Sequence, residues 1–279
     1  MPAWDEPAVT TAARRLRLVA DPRRRRQGDG MRLGRGPGAS LEFHDHRSYA
    51  PGDDLRHLDW SAYARSGQLM IRRQRKEVSP RLEVLLDVTA SMAITPAKSA
   101  LATALAALLA SLAEREGGRP RLWALGGTAV PLAQDWRARL RQLTCQGGTL
   151  ATANLAAGAE RILVSDGLHA EGPVAIIRRL GTEAGSLAMV QVLTRAEFDP
   201  ALDGAVRLVD VEGGEADLII DAGVVAGYRQ RLARLQDSWQ TALRGRGAGL
   251  LTVVVEDGLD AALRRLVRGG LLIASGSAA

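Results

Sequence analysis

The chain has 279 residues, of which 46% are hydrophobic and 24% charged, so it is long and apolar enough for one large domain or two small ones and is not wholly disordered. Its net charge of +6 is almost all arginine, with lysine only at Lys76 and Lys98, and such a bias by itself does not define a nucleic-acid surface. An aromatic content of 4% argues against stacking on single-stranded bases, and a single cysteine, Cys145, excludes an intrachain disulfide and a cysteine-based structural zinc site.

The N-terminal stretch MPAWDEPAVTTAARRLRL has no apolar segment behind a basic one. No secretory signal is visible, and the expected compartment is the cytoplasm. Arg14, Arg15, Arg17 and Arg23 to Arg26 lead into Gly28, Gly30, Gly34, Gly36 and Gly38. Residues 1–38 therefore read as a flexible Arg/Gly-rich arm, with at most a short helix over Thr11 to Val19. Residues 39–80 mix apolar residues with closely spaced charges around the turn signal Ala50-Pro51-Gly52-Asp53, and QLMIRRQRKEV reads as a strand. This stretch is expected to be a small β-containing subdomain.

From residue 81 the pattern alternates strand and helix. RLEVLLD is a short apolar run ending in an acid, as expected of a buried parallel strand. A helix follows from Pro96 to Glu116, opened by a proline in its first turn and ended by Gly117-Gly118. Its apolar run, Ala100 to Ala113, is too short to span a bilayer and carries Thr103 and Ser111, so no membrane span is expected. PRLWAL is a strand, Asp135 to Leu143 a helix, Thr149 to Ala159 a helix, and RILVS a strand. Pro173 to Leu180 is a helix and SLAMVQVL a strand, and AVRLVDVEGGEADLIID is a hairpin around Gly213-Gly214. A helix over Gly223 to Leu243, the strand LLTVVV and a helix over Leu259 to Val267 close the chain. This alternation predicts an α/β fold with a doubly wound, mainly parallel sheet over residues 81–275.

Ligands of such sheets sit beyond the carboxyl ends of the strands. There the sequence supplies Asp87-Val88-Thr89-Ala90-Ser91, then Gln146-Gly147-Gly148-Thr149, then Ser165-Asp166-Gly167. Carboxylates and hydroxyls are hard oxygen donors suited to Mg²⁺ or Mn²⁺. Loops of this kind could hold one ion and leave one position for an acidic oxygen from outside. Among Asp53, Asp54, Arg56, Asp59 and Arg65 we expect a structural network of ion pairs and hydrogen bonds, with Trp60 as a packing anchor. His44, His46 and His57 lack metal-ligand spacing, and Cys145 has no evident catalytic partner. No phosphate-binding loop or nucleophile elbow is present, and no general base stands out, so no catalytic residue is nominated.

The D-x-T-x-S run, the later GGT and the later SDG resemble the metal-ion-dependent adhesion site of von Willebrand factor A-like domains, which implies Asp87, Thr89, Ser91, Thr149 and Asp166 as the metal ligands. Threonine at 89 keeps the hydroxyl that the family's usual serine supplies. Upstream, LEFHDHRSYAPGDDLRHLDWSAYARSGQLMIRRQRKE is similar to the signature of the bacterial "domain of unknown function 58" family. The matching residues are Glu42, Phe43, Arg47, Tyr49, Pro51, Gly52, Asp53, Asp54, Arg56, Asp59, Trp60, Ala64, Arg65 and Glu77. The resemblance covers roughly residues 40–270 and implies a von Willebrand factor A-like α/β domain behind the small subdomain. It also implies a non-enzymatic, metal-dependent interaction module, an adaptor for a MoxR-type AAA+ ATPase. A metal-dependent hydrolase on the same loops, or an arginine-rich nucleic-acid binder, would be the alternatives. Neither a membrane nor a nucleic acid is the expected partner.

Overall fold

The computed structural model describes residues 4–19, 46–50, 58–72, 81–132, 135–145, 149–209, 215–244 and 249–275. The chain divides into two compact units, Arg32–Ser79 on one hand and Met1–Met31 with Pro80–Ala279 on the other.

The larger unit is built on a six-stranded sheet. Its strands are β4 (Leu82–Asp87), β5 (Arg121–Leu125), β6 (Ala129–Leu132), β7 (Glu160–Ser165), β8 (Ser186–Leu193) and β11 (Leu250–Val254). Their order is β11-β8-β7-β4-β5-β6, and every neighbouring pair is parallel except the β5–β6 hairpin. The strands are apolar on both faces, which is why they read as continuous runs and not as alternating ones. Leu82, Val84 and Leu86 of β4 enter one core, and Leu85 enters the other.

Helices cover both faces. The first core takes residues of α1 (Glu6–Arg15), α3 (Pro96–Arg115), α4 (Trp136–Gln142) and α8 (Gly258–Arg268). The second takes Ile176, Ile177 and Leu180 of α5 (Gly172–Gly181) with Trp239 and Leu243 of α7 (Ala222–Arg244). α3 is apolar nearly all round because it is enclosed nearly all round, with Leu105 to Ala110 fully buried. By length and composition it is the one helix among the described residues that could cross a membrane. A short α6 (Arg195–Phe198) follows β8, and β9 (Gly204–Val209) pairs antiparallel with β10 (Glu215–Ile220). That pair is the predicted hairpin; its Gly213-Gly214 lies outside the described residues.

Two expectations are corrected. Residues 4–19, placed in a solvated arm, are folded onto the larger unit. Asp5 caps α1 by accepting the Ala8 N–H at 3.0 Å, and the helix buries Val9, Ala12 and Ala13 beside Trp4. β1 (Leu16–Leu18) then pairs antiparallel with β12 (Leu272–Ala274). The apolar residues between the arginines supply the burial that a reading dominated by charge overlooks. The second correction is Thr149 to Ala159, which is not a helix. Its N–H groups bond elsewhere: Ala151 to the Gly126 carbonyl at 3.0 Å, and Ala156 to the Glu83 carboxylate at 3.1 Å.

In the small unit, β2 (His46–Ser48) pairs antiparallel with β3 (Met70–Arg72), the described part of the strand predicted in QLMIRRQRKEV. Between them α2 (Trp60–Ser66) is capped by Asp59, whose Oδ1 accepts the Ser61 and Ala62 N–H groups at 2.9 and 3.0 Å. Trp60 is not a packing anchor: 64% of it is exposed, and it meets Tyr63 edge to face at 6.3 Å. As the first residue of the helix it follows the cap outward, while Ala62 takes the buried side.

Candidate functional site

The crossover from β4 leads to β5 on one side, while β7 joins on the other. The carboxyl ends of β4 and β7 therefore form the sheet's topological switch point, where an α/β sheet opens a crevice. Asp87 ends β4 and is fully buried. Its Oδ1 accepts the Thr89 N–H at 2.9 Å and the Thr89 hydroxyl at 2.7 Å, a local turn that carries the chain back over the strand end. The Thr89 and Ser91 hydroxyls are 3.2 Å apart. Across the seam, Ser165 at the end of β7 donates to Asp87 Oδ2 at 2.6 Å. The Nε2 of His169 lies 3.0 Å from that same oxygen and 3.1 Å from Ser165 Oγ.

Asp166 is also fully buried. Its Oδ1 accepts the Leu168 N–H at 3.0 Å, and its Oδ2 accepts the Lys98 ammonium at 2.9 Å. Lys98, in the first turn of α3, donates further to the Ser91 carbonyl at 3.0 Å and to Glu197 Oε1 at 2.6 Å. Glu197 is held by a capping box, in which its Oε2 accepts the N–H and hydroxyl of Thr194 at 2.8 and 2.9 Å. Gly167 turns the loop at φ +72°, and its carbonyl accepts the Trp239 indole N–H at 3.1 Å. A Cβ there would lie 2.8 Å from Met189 Cε and 2.9 Å from Trp239 Nε1, so only glycine fits.

Charge dominates this cluster. Burial pushes the Asp166 carboxyl up, but the Lys98 charge, the Leu168 N–H and hydrogen bonds from Lys98 and Ser91 outweigh it, holding the group below its ordinary 3.8. Burial opposes protonation of His169, yet the hydrogen bond and charge of Asp87, helped by Asp166 and Glu171, raise it above 6.5. Asp166 and Glu197 thus share one lysine, and Asp87 faces a titrating histidine. The cluster is not a Ser-His-Asp triad. Ser165 and Asp87 share one imidazole nitrogen, whereas a triad uses both, and Ser165 is fully buried.

Of the five predicted ligands, Asp87, Thr89 and Ser91 come together with Asp166. Thr149 is exposed, and no hydrogen bond among the described residues joins it to them; Gln146 to Gly148 lie outside those residues. Sequence reasoning placed Ser165 at the strand end without nominating it as a ligand, and missed Lys98, His169 and Glu197. Lys98 is one of two lysines in an arginine-rich chain and stands at a helix N-terminus, where the dipole disfavours a cation. Thr194-Arg195-Ala196-Glu197 reads as a capping box. Of the upstream motif, Arg47 lies in β2, and the Tyr49 N–H donates to the Leu69 carbonyl at 2.9 Å. Arg65 Nε donates to the Ser61 carbonyl at 3.1 Å. Gly52, Asp53, Asp54, Arg56 and Glu77 lie outside the described residues. Burial raises the Cys145 thiol to about 11, which leaves it a poor nucleophile.

The carboxylate and hydroxyl oxygens of this cluster are donors of the kind that a hard divalent cation takes. Oxygen or nitrogen atoms of Asp87, Asp166 and His169 lie within 4.8 Å of one another, and the hydroxyls of Thr89 and Ser91 border them.

Fold and site together define a mixed α/β protein with a mostly parallel sheet and a buried polar cluster at its switch point. The chain belongs to the DUF58 family, described as a protein of unknown function, which it matches over residues 45–242. Among curated bacterial proteins it is similar to the uncharacterized proteins Rv1480 of Mycobacterium tuberculosis and Mb1516 of Mycobacterium bovis. Each is 27% identical over 277 residues, covering 89% of this chain and 86% of the relative. Among solved structures it has a slight likeness to an aerotolerance-related membrane protein from Bacteroides fragilis, with 15% identity and a TM-score of 0.34 over 60% of this chain and 98% of that one. A membrane-spanning protein from Vibrio fischeri gives 14% identity and a TM-score of 0.22 over 67% and 94%.

Proposed function

We propose that this chain is a non-enzymatic, metal-dependent protein-interaction module whose larger unit is a von Willebrand factor A-like domain. The observation that carries the reading is the charge of the switch-point cluster. Of its three carboxylates, two of them fully buried, Asp166 and Glu197 share the single lysine, while Asp87 is bonded by Thr89, Ser165 and His169. Buried charge left unbalanced is costly, and a divalent cation would offset the negative charge that Lys98 and the titrating His169 leave over. Further support comes from the D-x-T-x-S order of Asp87, Thr89 and Ser91 and from Asp166 on the adjacent strand end.

In this reading Asp87, Thr89, Ser91 and Asp166 hold Mg²⁺ or Mn²⁺, with Thr149 on the neighbouring loop. The bound ion supplies positive charge and a coordination position for a partner's acidic side chain. Asp87 orients the Thr89 hydroxyl, Ser165 and His169 fix Asp87, and Gly167 lets the loop bearing Asp166 lie against Trp239. Family resemblance suggests a MoxR-type AAA+ ATPase as partner.

The test is binding of a purified MoxR-type ATPase to the immobilised chain. Binding in Mg²⁺ that is lost in chelator and lost in Asp87→Ala is the expected result. Binding indifferent to both would contradict the reading. The placement of His169 beside Asp87 favours one alternative, a metal-dependent hydrolase with His169 as base. Turnover on a panel of phosphoesters, abolished in Asp166→Ala, would replace the first reading with the second.

A further inference from the structure

We infer that Lys98 is a tethered counter-cation that competes with the divalent ion for Asp166, and so limits how tightly the site holds metal. The inference rests on the metal reading above.

Three features of Lys98 need a common explanation. First, it is fully buried, and a buried ammonium persists only when paired. Second, it occupies the first turn of α3, where its own N–H is capped by Thr95 Oγ1 at 3.1 Å and where the helix dipole opposes a positive charge. Third, its three donors are all used, on the Ser91 carbonyl, Asp166 Oδ2 and Glu197 Oε1. The acids, and not the helix, therefore determine where the ammonium sits. One of those acids is a proposed metal ligand, and another acceptor, the Ser91 carbonyl, belongs to a second. A lysine serving packing alone would not need to bond both loops that carry the proposed ligands.

Asp166 Oδ2 cannot be shared without cost between an ammonium and a divalent ion, since the two cations repel each other across it. Glu197 resolves the conflict. It offers Lys98 a second carboxylate, itself anchored by Thr194, on which the ammonium can remain when Asp166 turns to metal. The site thus carries its own monovalent substitute, which satisfies Asp166 in metal-free protein and lowers the gain from binding metal.

The test is Mn²⁺ titration of the full chain, followed by calorimetry and thermal melting, for the wild type and Lys98→Met. Methionine keeps an unbranched apolar stem and removes the charge. The variant should melt lower than the wild type without metal and bind Mn²⁺ at least about tenfold more tightly, the size of an ordinary coupling between two ligands. Equal or weaker Mn²⁺ binding by Lys98→Met, with saturable binding by the wild type, would overturn the inference and leave the metal site standing. Absence of saturable binding in both proteins would overturn both. If Lys98→Met is unfolded without metal, Mn²⁺ should restore its circular dichroism, and failure to restore it counts against the inference.

Discussion

Two ionic clusters lie at opposite ends of the same pair of strands, β4 and β7, at the same depth in the sheet, and they are balanced differently. At the amino end, the buried Glu83 meets the buried Arg161 at 3.2 Å. Three of the four remaining N–H groups of that guanidinium reach carbonyls: Nη1 bonds Leu180 and Thr182 at 2.6 and 2.7 Å, and Nη2 bonds Ala156 at 2.8 Å. Glu83 in turn accepts the Ala156 N–H and lies 3.6 Å from Arg121. Charge and hydrogen bonds close within the protein, so this end ties the 149–159 connection to the sheet and asks for nothing from outside. At the carboxyl end, Asp166 and Glu197 share one lysine, and Asp87 has only the titrating His169 as a cationic partner. Both ends hold fully buried carboxylates; the charge balance separates a structural cluster from a candidate site.

The comparison can be broken first at its structural end. Arg161→Met should cost about 3–5 kcal/mol, because it leaves Glu83 buried without its partner. Denaturant unfolding measures this, and a loss below about 1 kcal/mol would show that Glu83 does not depend on the pair. At the other end, Gly167→Ala should cost about 1–3 kcal/mol by overpacking against Met189 and Trp239. It should also weaken Mn²⁺ binding, because the loop it displaces bears Asp166. An unchanged Mn²⁺ affinity would detach the loop from the site.

A smaller effect is expected from pH in metal-free protein. His169 titrates above its ordinary 6.5 because Asp87 outweighs its burial. Its contribution to stability is therefore complete below 6.5 and is lost as pH rises through the raised value. Asp166 acts in the opposite sense, contributing above its ordinary 3.8 and losing that contribution as pH falls through the lowered value. Unfolding curves of the wild type and His169→Gln should converge on the alkaline side. Curves that stay parallel from pH 5 to 9 would mean that His169 does not feel Asp87.

Much of this was legible in the sequence, and the reasons differ between elements. Buried parallel strands announce themselves as short apolar runs ending in polar residues, and RLEVLLD and RILVS lie where β4 and β7 form. Asp87, Thr89 and Ser91 were visible because they are close in sequence. Lys98 and Glu197 were not, because their meeting joins residues 99 positions apart and follows from which strands are neighbours. His169 was hidden by three other histidines upstream that drew attention to their own spacing. The segment Thr149 to Ala159 looked helical by its alanines, but tertiary partners at Gly126 and Glu83 took its N–H groups. The N-terminal segment looked solvated by its arginines, although Trp4, Val9 and Leu18 are buried.

The central claim, that the unbalanced end of the sheet takes a divalent cation, is tested most directly by melting the wild type and Asp87→Ala across a Mg²⁺ and Mn²⁺ series. An ion that binds only the folded chain stabilises it by about 2.7 kcal/mol at a hundred times its dissociation constant. The account predicts a melting temperature that climbs with metal in the wild type and stays flat in Asp87→Ala. A wild-type melting temperature indifferent to both ions, or a rise of equal size in the variant, would contradict it.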